Sequence, residues 1–163
     1  ITVVFTVKQK VYFETTLISN FVAKKSSNVI ISGHQDATKL MWKKIGKEFD
    51  VFISDLVLQE SGKGDKEQAR KRLKAIEPFP ALKIDDETKE LAKKLISGHA
   101  IPKEYPEDAI HIALAAVNGI DIIVTWNFSH INNPFTRLRV RQIAENHGYI
   151  CPEICSPDEL LGE

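Results

Sequence analysis

The chain has 163 residues, 43% of them hydrophobic and 27% charged, the balance of an ordinary globular domain and not of a disordered or fibrous chain. Lys plus Arg number 22 and Asp plus Glu number 22, so the formal charge is zero; this excludes a protein that coats nucleic acid by bulk charge and leaves room for local basic patches. Cys151 and Cys155 are too few for a disulfide framework or a zinc site, and the expected compartment is a reducing cytoplasm.

In chain order, the apolar run over residues 1–7 is too short to span a bilayer. It has no basic leader or small-residue cleavage site, so it reads as a β-prone strand or ordered tail and not as a signal peptide. A strand is predicted over residues 11–13, then a helix over 16–24 that Ser26-Ser27-Asn28 interrupts. Residues 34–49 carry Ala37, Leu40, Met41, Ile45 and Phe49 at helical spacing. Strand 51–53 leads to Ser54-Asp55, an N-cap for helix 56–60. Helix 66–76, strand 81–84 and helix 87–96 follow. Pro106 opens a helix over 107–117 and Gly119 closes it. Strand 122–124, helix 135–147 ending at Gly148, a short fifth strand near Tyr149-Ile150 and a last turn over 157–161 complete the pattern. The alternation predicts a mostly parallel sheet covered by helices in one domain over residues 1–163, with 1–10 as an extra strand or tail. Ala109-Ile110-His111-Ile112-Ala113-Leu114-Ala115-Ala116-Val117 is apolar nearly all round, so this helix is expected at the centre.

The acids fall where such folds bind ligands. Glu14 ends the first strand, Asp108 stands in the first turn of the central helix, and Asn127 follows the strand 122–124. Carboxyl ends of strands and the adjoining helix starts form the crevice of an open α/β sheet, and Glu60 can reach the same place. Clustered carboxylates raise one another's pKa unless a cation or proton intervenes. Such a cluster suits Mg²⁺ or Mn²⁺, hard cations that take oxygen ligands. The plainer readings are a helix-dipole acid at Asp108 and ordinary strand-end acids.

Val11-Tyr12-Phe13-Glu14-Thr15-Thr16-Leu17-Ile18-Ser19 resembles the opening of a PIN domain, in the branch with Glu-Thr-Thr or Glu-Thr-Ser. Val57-Leu58-Gln59-Glu60 with Gly64-Asp65 resembles its second motif, Asp108-Ala109-Ile110-His111-Ile112-Ala113 its third and Thr125-Trp126-Asn127-Phe128-Ser129-His130 its fourth. The ending Pro157-Asp158-Glu159-Leu160-Leu161 is similar to that branch too. The resemblance implies a three-layer α/β/α sandwich, a Mg²⁺- or Mn²⁺-dependent ribonuclease, an RNA substrate and, as in VapC-like toxins, an antitoxin partner and a homodimer. It also implies that Glu14, Glu60, Asp108 and Asn127 form the catalytic metal site, with Thr125 as a supporting hydroxyl. Most members have Asp at the positions of Glu14 and Asn127. Both departures are expected to weaken metal affinity.

His111 lies one turn beyond Asp108 and reads as a satisfied core histidine or as a supporting partner of Asp108. His130 reads as a loop-end structural residue and Trp126 as packing, with base stacking as its sharper alternative. The run with Lys63, Lys66, Arg70, Lys71, Arg72 and Lys74 reads as a solvated helix face. Arg137, Arg139 and Arg141 are the better candidates for RNA phosphate contacts. Trp42 and Phe49, with the N-terminal run, are candidates for a homodimer contact. The rival to a nuclease is a binding module of the same fold that holds RNA or protein without cutting; no Gly-rich phosphate loop points to a nucleotide hydrolase.

Overall fold

The structure, a computed structural model, describes residues 7–162. Of the extra strand or tail expected over residues 1–10, residues 1–6 lie outside the described residues, Val7 and Lys8 are exposed coil, and Gln9 and Lys10 are not a separate element but the start of β1, paired with β2. The elements run β1 (Gln9–Phe13), α1 (Thr15–Val22), α2 (Val29–Glu48), β2 (Phe49–Ser54), α3 (Asp55–Ser61), α4 (Lys66–Ile76), β3 (Ala81–Leu82), α5 (Asp86–Ser97), α6 (Pro106–Val117), β4 (Ile122–Val124), α7 (Pro134–Asn146), β5 (Glu153–Cys155) and α8 (Pro157–Leu161).

The five strands form one sheet in the order β3-β2-β1-β4-β5, and every pairing is parallel. Parallel neighbours require crossover connections, and these are right-handed because twisted strands feed right-handed helices. From β1 the chain steps outward to β2 and β3, then returns past β1 to β4 and β5. The first set of crossovers thus covers one face and the second set the other. The helix contacts agree: α1 packs on α2, α3 and α4, while α5 packs on α6 and α7. Helix α8 returns to α2. This is the α/β/α sandwich, with a fully parallel sheet.

A parallel sheet covered on both faces buries its strands as continuous apolar runs. Val11, Tyr12 and Phe13 of β1 and Ile123 and Val124 of β4 are all at 0% exposure. Helix α6 is buried over Ala109 and from His111 to Ala116, as its all-round apolarity requires. Trp42 stacks on Phe21 at 3.9 Å and 6° and touches Phe13 and Phe79, so its ring belongs to an aromatic cluster between α1, α2 and β1.

Two elements depart from expectation. Helix α2 begins at Val29, not His34, because the Asn28 side chain accepts from the Ile30 and Ile31 N–H groups; the polar break is a helix cap. The fifth strand is Glu153–Cys155, not Tyr149-Ile150. Gly148 at φ +84° turns the chain there, Ile150 is 91% exposed, and pairing starts where Glu153 N–H donates to the Asp121 carbonyl at 2.9 Å. Among the described residues, no helix is long and apolar enough to cross a membrane.

Candidate active site

The strand order reverses between β1 and β4, and the crossovers leave those two strands toward opposite faces. Their carboxyl ends therefore open a crevice with no chain across it, the place where open α/β sheets bind ligands. Glu14 follows β1 directly and serves as N-cap of α1, with extended φ −77° and ψ 155°. Its Oε1 accepts from Thr16 N–H at 3.1 Å, from Thr16 Oγ1 and from Thr125 Oγ1 at 2.7 Å. Thr16 Oγ1 in turn accepts from Trp126 N–H at 3.0 Å, and Thr125 Oγ1 accepts from Asn127 N–H at 3.0 Å. The two hydroxyls thus sew the β1 and β4 ends together around one carboxylate oxygen. Glu14 is buried, yet Ser61 Oγ is the only buried side-chain polar atom without a partner among the described residues. The second oxygen of Glu14, to which no described protein donor points, therefore faces accessible space.

Asp108 occupies the first turn of α6. Its Oδ1 accepts from Asn127 Nδ2 at 3.3 Å and its Oδ2 from His130 Nδ1 at 3.0 Å. Asn127 Oδ1 accepts from His130 N–H at 3.0 Å. The amide thus turns its nitrogen to Asp108 and its oxygen to its own loop, where a metal-ligand role would need that oxygen free. Thr125 and Asn127 link Glu14 to Asp108 through consecutive hydrogen bonds, although the two acids are far apart in sequence.

Glu60 lies on α3 and completes the group. Its Oε1 accepts from Thr15 Oγ1 at 2.6 Å and from His111 Nε2 at 2.7 Å. A carboxylate only accepts, so His111 carries a proton on Nε2. Its Nδ1 meets the Tyr12 hydroxyl at 2.6 Å, and Tyr12 meets Ser54 Oγ at 2.8 Å. Ser54 Oγ accepts from Val57 N–H at 3.1 Å and so caps α3. This buried chain ties β1, β2, α3 and α6 to Glu60. His111 therefore supports Glu60; the side chain on Asp108 is that of His130, which lies beneath Tyr105 with ring centroids 3.9 Å apart.

The electrostatics follow from this crowding. Burial raises the Asp108 carboxyl above its ordinary value, and the charge of Glu14 adds to the rise against the opposing pull of His111 and His130. Burial opposes charge on His111, but the bond to Glu60 and the charges of Glu14, Glu60 and Asp108 raise its pKa. Burial likewise works against ionised Glu60, yet the His111 bond and charge, with Thr15, hold its carboxyl below the ordinary value. Ionisation of Asp108 is thus disfavoured by burial and by Glu14, an opposition that a cation between them would relieve. The donor set is oxygen-rich and hard, which fits Mg²⁺ or Mn²⁺. Among the described residues, no three His, Cys, Asp or Glu side chains form a metal-holding group. A cation held by two carboxylates and its own waters meets that restriction, as Mg²⁺ commonly does.

The arginines diverge along α7. Arg137 donates to Asn132 Oδ1 at 2.6 Å, and Asn132 Nδ2 donates to the Thr125 carbonyl at 3.2 Å, which braces the site loop. Arg139 donates to the His99 carbonyl at 3.0 Å. Arg141 pairs with Glu153 at 3.1 Å, at the amino end of the sheet, so the structure does not bring it to the acids. Thr15, Thr16, Tyr12, Ser54 and Tyr105 were not singled out from sequence as site residues. The hydroxyls directly after Glu14 were the one available signal, since Thr beside a strand-end acid can cap it.

No curated protein and no solved structure matches the chain. A family model described as PIN domain matches residues 27–131, well over half of the sequence; the span takes in Glu60, Asp108 and Asn127 and begins after Glu14. PIN domains are generally nucleases that act on nucleic acids with divalent metal ions, in keeping with the acids gathered at the β1 and β4 ends. The chain belongs to the PIN-domain family.

Proposed function

We propose that the protein is a divalent-metal-dependent endoribonuclease of the VapC-like toxin type. The observation that carries this reading is the continuous hydrogen-bond network joining Glu14, Thr125, Asn127 and Asp108 across the sheet's switch point, with Glu60 tied in through Thr15. Glu14 and Asp108 hold the cation, Mg²⁺ or Mn²⁺. When bound, the metal stabilises charge on the phosphodiester and acidifies an attacking water. Asn127 and His130 fix the rotamer of Asp108. Glu60, kept ionised by His111, orients the water through its outer oxygen; its lowered pKa suits an acceptor more than a store of protons. Thr125 holds Glu14 from behind.

The test is Asp108→Asn. RNA cleavage in Mn²⁺ is expected to fall at least about a hundredfold, the lower end for losing a charge-stabilising group. Full activity after that change, insensitive to chelator, would end the catalytic claim.

An antitoxin belongs to the same reading. Val29 and Ile30, 85% and 69% exposed, open α2, and Ile30 lies one turn before His34, which stacks on Trp126 at 3.9 Å. An apolar surface beside the site is what a partner that occludes it would cover. For a homodimer, a monomeric sedimentation profile at micromolar concentration counts against the contact.

One observation favours the rival reading, a PIN fold that binds without cutting: Asn127 is neutral and both Asp108 oxygens accept hydrogen bonds from protein. Calorimetry separates the two. Absence of Mn²⁺ binding near neutral pH would support the binding module.

A further inference from the structure

We propose that the cleft between the 99–104 loop and the first turns of α7 is a track for single-stranded RNA, with Tyr105 as the stacking platform for an unpaired base at its mouth. The proposal rests on the reading of the acidic hollow as a nuclease site and identifies how the strand beyond the scissile phosphate is held.

Two adjoining cavities of about 600 and 460 Å³ share His99, Ala100 and Thr136 and so form one groove. Its inner end reaches Ser129 and His130, and His130 is hydrogen-bonded to Asp108. The inner end of the groove thus lies one side chain, His130, from Asp108. Lys103 lines the inner part and Arg139 the outer, with Glu104 as an opposing charge. One guanidinium hydrogen of Arg139 is used on the His99 carbonyl, and the fork has further donors for a phosphate. The larger cavity of about 760 Å³ lies at the other end of the sheet, where Asp121, Glu153 and Glu159 outnumber Arg141, itself paired with Glu153.

Tyr105 supplies the apolar contact. One ring face covers His130 at 29°, and 45% of the residue remains exposed, so the outer face is open to a base. Phe135, 80% exposed, lines the far end. Basic side chains spaced along a groove with exposed rings are the general means of holding single strands, because phosphates meet the cations while any base can stack. A duplex hides its base faces and gains nothing from the rings.

The groove wall is held firmly. His99 has φ +61°, the only positive φ outside glycine among the described residues. A Cβ on neighbouring Gly98 would come within 2.6 Å of Ile143 Cδ1, so a larger residue there would have to displace the Ile143 side chain. The left-handed turn is at His99, whose carbonyl Arg139 clips.

The experiment is fluorescence anisotropy in chelator with a labelled single-stranded RNA of about twelve nucleotides, within the usual range of site sizes, so that no cleavage is needed. The double variant Lys103→Ala with Arg139→Ala is expected to weaken binding about tenfold and flatten the salt slope by about 1 to 1.5, from two lost phosphate contacts. Tyr105→Ala is expected to weaken it about tenfold, while Tyr105→Phe and Arg139→Lys keep it, since a ring still stacks and a cation remains. Lys43→Ala with Lys44→Ala, an equal loss of charge on α2, is the control and is expected to leave affinity unchanged. Equal weakening by the control pair, equal affinity for a blunt duplex, or no binding by the unaltered chain each overturns the track. Unchanged affinity in the groove variants, alongside Mn²⁺-dependent cleavage that Asp108→Asn abolishes, overturns the track alone. Weakened binding in those variants without any cleavage by the unaltered chain supports the track and removes the nuclease reading.

Discussion

Asn127 shows how one substitution changes the chemistry around it. Its amide gives Asp108 a hydrogen where most PIN domains place a further negative charge, so the hollow is less repulsive without metal. Asn127→Asp restores that charge. In the absence of metal the variant is expected to lose about 1 to 3 kcal/mol, the cost of replacing a hydrogen bond by a half-buried carboxylate set against Asp108. Mn²⁺ affinity should rise about tenfold, since ligand charge tunes divalent-metal binding. Thermal denaturation and calorimetry check the pair; unchanged values in both would show that Asn127 does not govern the cation. The identity of the acids was legible in the sequence because strand ends and helix starts are predictable from hydrophobic period. The partners of each acid were not, because hydrogen-bond direction depends on rotamers. His111 stands one turn from Asp108 along α6, but Glu60 of α3 takes its Nε2, and His130, a loop residue, takes Asp108.

At the scale of elements, the chain from Glu60 through His111 and Tyr12 to Ser54 fastens two strands and two helices. Glu60 sits below its ordinary carboxyl value of 4.5, so its contribution to stability is present above that value and fades as pH falls through the lowered one. His111 sits above 6.5, so its contribution is complete below that pH and fades as pH rises through the raised value. The pair therefore stabilises most in the window between about 4.5 and 6.5, and denaturation measured across pH should show its optimum there, less marked in His111→Gln. An imidazole titration of His111 by NMR with its midpoint below 6.5 would contradict this account. Tyr12→Phe leaves His111 Nδ1 and Ser54 short of a partner and should cost about 1 to 3 kcal/mol. Helix type was readable where period was strong, as over residues 34–48 of α2, while α6 was betrayed by Pro106 and its unbroken apolar run. The start of α2 was hidden because Asn28 both breaks one helix pattern and caps the next. The true fifth strand escaped because Glu153-Ile154-Cys155 is too short for a period.

For the whole molecule, the alternation of strands and helices predicted a mostly parallel sheet, and the structure makes it fully parallel; the order β3-β2-β1-β4-β5 was not legible, because right-handed crossovers let the chain step to either edge. A cation that binds only the folded chain stabilises it by mass action, about 2.7 kcal/mol at a hundred times its dissociation constant. Mn²⁺ should therefore raise the melting temperature, chelator should reverse the rise, and Asp108→Asn should remove most of it. Absence of any metal-dependent shift in the unaltered protein would argue for the binding module. The bond from Thr125 to Glu14 spans 111 residues, and β1 receives β4 along the register Val11 with Ile122 to Phe13 with Val124. Contacts so distant in sequence form late, after the entropy of closing a long loop has been met. A chain still emerging from the ribosome thus carries Glu14 and Glu60 well before the strand that completes their pocket. Translation must pass Asn127 before a nascent copy can assemble the site that Glu14 and Glu60 begin.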